Sequence, residues 1–141
     1  MKTNIARGVS VCLLAFAGVA VTVAKSPDPV YNPSAEVRIS AVITGVRQVP
    51  EGNPLAGLHV TVQPKNASPV DVYMGPTAFL KIFKTAFPVG AAIQVIGARS
   101  GDGILAREVT EGATSITLRE LTGVPVWEHW GVIADGGASG D

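Results

Sequence analysis

From Glu36 onward the chain alternates. In EVRISAVITGVR, Val37, Ile39, Ala41 and Ile43 interleave with Arg38, Ser40, Val42 and Thr44, a period of two that puts one set on each face of a β-strand. A strand with one apolar face must lay it on a core, so a sheet protein is required. Gly45 gives this long strand a place to bend or bulge. The pattern recurs in GLHVTVQ, where Leu58, Val60 and Val62 face one way, and in PVDVYMG, AAIQVIGARS, ILAREVTEG and TSITLRE. Between these runs lie turn formers: QVPEGNPLA, PKNAS, SGDG and Gly112-Ala113. GLHVTVQ and PVDVYMG are expected to pair as a hairpin. Asn66-Ala67-Ser68 fits a glycosylation sequon but reads as turn chemistry, with Pro69 following at once.

One segment breaks the period. In GPTAFLKIFKTAF, Phe79, Leu80 and Phe83 share a helical face while Lys81 and Lys84 point elsewhere, and Pro76 suits a first helical turn. A helix from Pro76 to Phe83 is predicted, plugging one end of a sheet core. LTGVPVW then closes the domain.

A long bent strand, a hairpin, a helix between strands 3 and 4 and a closing strand pair is the order of an OB-fold. The expected fold is therefore mainly β: a small five- or six-stranded OB-fold-like barrel, taken as antiparallel, over residues 36–127. The segments AVITGVRQVP, GLHVTVQ, PVDVYMGP, AIQVIGAR, ILAREVT and TLRELTGVPVW also resemble an uncharacterised family of small exported bacterial OB-fold-like proteins. More distantly they are similar to the bacterial OB-fold family of periplasmic stress proteins. That resemblance covers Glu36 to Trp127 and implies the fold; it brings no catalytic residues to carry over.

The two ends read differently. Lys2 and Arg7 precede an uncharged run from Gly8 to Ala24 that ends in Thr22-Val23-Ala24, the layout of a secretory signal peptide over residues 1–24. Cleavage is expected after Ala24, with Ala20 second. An uncleaved anchor is the alternative, but the run is rich in Ala and Gly and lies at the bottom of the spanning range. Cys12 is the only cysteine, so processing removes any disulfide or thiolate chemistry. Pro27, Pro29 and Pro33 make residues 25–35 an extended, exposed leader. Residues 128–141 end in DGGASGD and read as a flexible Gly-rich tail. The expected destination is the periplasm or the medium.

Basic and acidic residues balance at 11 each, and losing Lys2 and Arg7 leaves the mature chain mildly acidic. A nucleic-acid binder carries a basic footprint that this chain lacks. His59 and His129 are the only histidines, and no further ligand lies at a zinc spacing, so neither a metal nor a cofactor is expected. Met74 with His59 makes a poor copper site. No Gly-x-Ser-x-Gly, His-Glu-x-x-His or phosphate-loop motif occurs.

Two groups remain as binding candidates. His59, lying between inward Leu58 and Val60, should face solvent, with Asp71 and Tyr73 beside it on the outer face of the hairpin, where OB barrels take ligands. Trp127, His129 and Trp130 flank Glu128; either Trp127 docks to end the fold or the cluster is a binding lip. Arg107, Glu108, Arg119 and Glu120 are expected to pair across strands. The functional expectation is a non-enzymatic binding or accessory module of the bacterial envelope that takes a protein or small ligand. The alternatives are an OB-fold nucleic-acid binder and an enzyme accessory subunit.

Overall fold

In the computed structural model, which describes residues 28–129, the alternating segments become six strands. These are β1 (Glu36–Val49), β2 (Gly57–Pro64), β3 (Val70–Gly75), β4 (Ala92–Ser100), β5 (Gly103–Glu111) and β6 (Thr114–Thr117). The expected signal peptide, the start of the leader and the tail from Trp130 on lie outside the described residues.

β1 serves two partners. Its first half, from Glu36 to Val42, pairs with β4, and the stretch from Ala41 to Val49 pairs with β2. The register slips between Ile43 and Gly45, where the strand passes from one partner to the other. β2 and β3 form the expected hairpin, turned by Asn66 in the left-handed region at φ 61°. β4 and β5 form another across Gly101-Asp102. The barrel then closes where Val72 pairs with Ile104 and Tyr73 with Leu105. This closure corrects the antiparallel expectation: β3 and β5 run parallel, because the four antiparallel pairings β3–β2, β2–β1, β1–β4 and β4–β5 give the two end strands of a five-stranded ring the same direction. The result is a closed five-stranded mixed barrel of OB type, with β6 added outside it on β5.

Between β3 and β4 lies the predicted helix. It begins as α1 (Thr77–Leu80), with Pro76 as its N-cap, and tightens into a 3-10 turn over Lys81–Phe83. No side chain caps its N-terminus, and so short a helix depends on packing rather than on propensity. Phe79 and Leu80 are buried in the barrel end, with Phe87 beside them, while Phe83 is partly exposed against the edge of Phe79.

The interior is filled by Ile43, Val60, Val62, Val72, Val95 and Leu118, among others. Each such side chain contributes about 1.5 to 3 kcal/mol by leaving water. Beyond β6 the chain does not fray. Leu118 and Arg119 both donate their amides to Arg107 O, Arg119 bridges Pro125, and Val126 returns its amide to Leu118 O. This tight return carries Trp127 back onto the barrel as the first residues of a helical turn over 126–129.

The described part of the leader also docks. Asn32 Oδ1 accepts the Ser34 amide at 3.0 Å and fixes a 3-10 turn over Pro33–Ala35. Tyr31 alone is buried, at 6% exposed, while residues 28–30 and 32–34 around it are exposed, so the leader is pinned at one side chain. Its hydroxyl donates to Glu36 Oε2 at 2.6 Å, and Arg107 grips the same carboxylate with Nε and Nη2 at 2.8 and 2.9 Å. Among the described residues no helix is long and apolar enough to cross a membrane.

Candidate functional site

The sequence placed His59, Asp71 and Tyr73 together on the outer side of the hairpin, and the structure brings them together there. His59 lies opposite Tyr73 in the register, and Thr61 opposite Asp71. Two of the three are not solvent-facing, however: His59 and Tyr73 are each 5% exposed. Both point out of the barrel but are covered by the chain itself, through Leu55 of the β1–β2 loop, Tyr31 of the leader and Trp127 of the C-terminal return.

Local geometry engages both ring nitrogens of His59 within the protein. Nδ1 lies 2.8 Å from Asp71 Oδ2, and Nε2 lies 2.8 Å from Leu55 O. Both ring nitrogens face acceptors, so neither is left for a metal or a substrate. Arg47 Nη2 donates to the other Asp71 oxygen at 3.1 Å. The trio ties the β1–β2 loop to the hairpin. Tyr73 does the same from the next position, its hydroxyl donating to Ala56 O at 2.9 Å. Burial pushes the Tyr73 hydroxyl up to about 12, with the Asp28 charge adding to the rise and Arg119 opposing it.

Trp127 joins the pieces. Its ring meets Tyr73 edge-on at 6.2 Å, Phe79 at 5.7 Å and the Arg119 guanidinium at 5.2 Å. Gly75 makes this possible: at φ 130° it adopts backbone that disfavours any side chain, and a Cβ there would come within 2.9 Å of the Trp127 ring. The polar–aromatic cluster read at the C-terminus is therefore divided. Trp127 packs, whereas His129 is exposed with Nε2 3.4 Å from Glu120 Oε1, and Trp130 lies outside the described residues.

Two clefts open on either side of Asp28, Tyr73 and Trp127. The larger, about 580 Å³, runs between Gln48, Gly52, Gly57 and the start of the helix at Thr77. The smaller, about 350 Å³, lies between Tyr31, Val124 and Glu128, and Arg119 lines it. Arg119 was read only as a strand charge to be paired. Its signal was its place before the turn formers Thr122-Gly123 and Pro125, which announce that the strand ends and the chain returns.

Among the described residues, no group of three or more His, Cys, Asp or Glu side chains is placed to hold a metal ion. The arrangement offers apolar ring surface, a buried guanidinium and flanking carboxylates. Those groups can bind and orient. Comparison with protein-family models, with curated proteins and with solved structures finds no match to the chain.

Proposed function

We propose that the protein is an exported, non-enzymatic binding module that takes a small ligand on the outer β2–β3 face of its barrel. The observation that carries this reading is the convergence of both clefts on Tyr73 and Trp127, two large rings with polar handles at the junction of leader, loop and C-terminal return. Ligand sites are concave, mainly apolar and provided with a few fixed polar groups. Asp28, Gln48 and Thr77 supply such groups in the larger cleft. Thr77 Oγ1 is held by Gln48 Oε1 at 2.6 Å, a fixed geometry. Carboxylates at Asp28, Glu51 and Glu128 border the clefts and argue against a nucleic-acid backbone as occupant.

Export supports the same reading, since the sequence carries a signal-type leader and a mature chain free of cysteine. Cleavage after Ala24 delivers the domain to the periplasm or medium. The mass of the processed N-terminus checks this, and an intact Met1 in the membrane fraction would overturn it.

The test of binding is amide and indole chemical-shift mapping during titration with a panel of small acids, amides, amines and sugars. Shifts centred on Tyr73, Thr77 and Trp127 support the proposal. Shifts confined to the β1–β4 outer face, or saturable salt-sensitive binding of single-stranded DNA instead, would replace it.

A further inference from the structure

Two arginines near this face are treated in opposite ways. Arg107 is neutralised by both oxygens of Glu36. Arg119 is 6% exposed, yet no carboxylate lies within ion-pair distance of it among the described residues. Nη1 donates to Gly123 O at 3.0 Å, and Nε is sealed from solvent with no partner. The guanidinium is held between two rings, 5.5 Å from Tyr31 and 5.2 Å from Trp127. Burial lowers its pKa against the combined pull of Tyr73, Tyr31, Glu128 and Asp28, and an arginine remains charged regardless.

A buried cation with unfilled donor capacity is costly, and this one lines a cleft large enough for a small organic molecule. Tyr73, Val124, Pro125 and Trp127 give that cleft apolar walls. Asp28 and Glu128 border it with negative charge, which disfavours a second anionic group on the occupant. Asp28 is also committed, its Oδ1 accepting the Leu55 amide at 3.0 Å.

Building on the binding role proposed above, we infer that the smaller cleft is a site for a compact monocarboxylate, with its carboxylate on the Arg119 guanidinium and its apolar body against Tyr73 and Trp127. Charge-assisted hydrogen bonding of a carboxylate to the guanidinium donors that line the cleft is the interaction that would pair this cation, while the sealed Nε takes no part. The same chemistry is presented by a free organic acid and by the C-terminus of a peptide.

The test uses the protein purified from cells that export it, with Trp130→Phe to leave Trp127 as the indole reporter. Phenylacetate is titrated against phenylacetamide, which has the same shape without the charge, while the Trp127 indole proton is followed. Saturable phenylacetate binding at least tenfold tighter than the amide is expected, as is loss of that preference in Arg119→Gln. The acid-to-amide ratio is measured on a chain with Arg119 intact, so it stands even if Arg119→Gln weakens the fold. Equal affinity for acid and amide would overturn the carboxylate assignment while leaving a binding cleft. Tighter binding of inorganic phosphate than of phenylacetate would overturn it as well. If neither probe moves Trp127, the site assignment fails, and the broader panel decides the binding role separately. A short peptide with a free C-terminus that outcompetes its amidated form, and phenylacetate with it, would support the site and identify a peptide as the carboxylate source.

Discussion

The barrel holds one apolar cluster inside and a second outside, and the two are built by different rules. The inner cluster, with Val60, Val72 and Val95, is built on the overlapping inward faces of the barrel strands, joined by Phe79 and Leu80 of the helix and by Leu118 just past β6. The outer one consists of Tyr31, Tyr73, Ala98 and Leu105, with Leu55 and Trp127 packed against it. Three of its members come from strands, and the others from the leader, a loop and the C-terminal return. The inner core is thus made by regular alternation, whereas the outer one is made by irregular chain folded over the sheet. An outward-pointing strand residue is therefore not the same as an exposed one.

The sharpest test of this contrast is truncation at each centre. Leu118→Ala, fully inside, should cost about 3 to 5 kcal/mol, because the closed barrel cannot collapse around the cavity. Trp127→Ala should cost about 2 to 4 kcal/mol, since the ring touches both clusters but is only half-buried. Urea midpoints give both. A larger loss at Trp127 than at Leu118 would make the outer layer the dominant source of stability and reverse the comparison.

Next in size is the tie that holds the leader to the barrel. Glu36→Gln removes the charge that accepts from Arg107 and Tyr31 and should cost about 1.5 to 3 kcal/mol. The hydrogen bonds from Arg107 and then Tyr31 lower the Glu36 carboxyl from 4.5 to about 2. A depressed carboxylate stabilises the fold above its unfolded value and loses that contribution as pH falls. Wild-type stability should accordingly drop between about pH 4.5 and pH 2, and Glu36→Gln should flatten that window. Urea midpoints across the range check the sign.

The smallest effect should come from Tyr31→Phe, which keeps the ring and removes one hydrogen bond, at about 0.5 to 1.5 kcal/mol. Gly123→Ala refines the same point. Gly123 has φ 98°, and a Cβ there would fall 2.6 Å from Tyr31 Cδ1, so the ring must move. Amide exchange around Tyr31 should rise in Gly123→Ala while that of β2 and β4 stays as in the parent. Uniform acceleration would mean that the two clusters unfold together.

Much of this molecule was determined by its sequence. Period two placed the strands, period 3.6 placed the turn that starts at Thr77, and Gly and Pro marked the hairpins, because local patterning follows from where successive side chains point. Pairing of His59, Asp71 and Tyr73 on one face followed from the same geometry. Whether that face would be covered was decided by tertiary structure, since the covering residues Tyr31 and Trp127 lie far away in the chain and belong to segments with no period. A trace of it was present: Val72-Tyr73-Met74 and Ile104-Leu105-Ala106 are unbroken buried runs on the two strands that pair in parallel, the signature of strands covered on both sides. Arg119 is the clearest case of what sequence alone leaves open. Strand geometry suggested an ion pair across strands, but among the described residues Arg119 makes none: Glu120 lies 3.4 Å from His129, and the guanidinium sits 5.5 Å from the Tyr31 ring and 5.2 Å from that of Trp127. Charge complementarity can be read along a chain, whereas the partner a buried charge receives depends on which distant surfaces close over it.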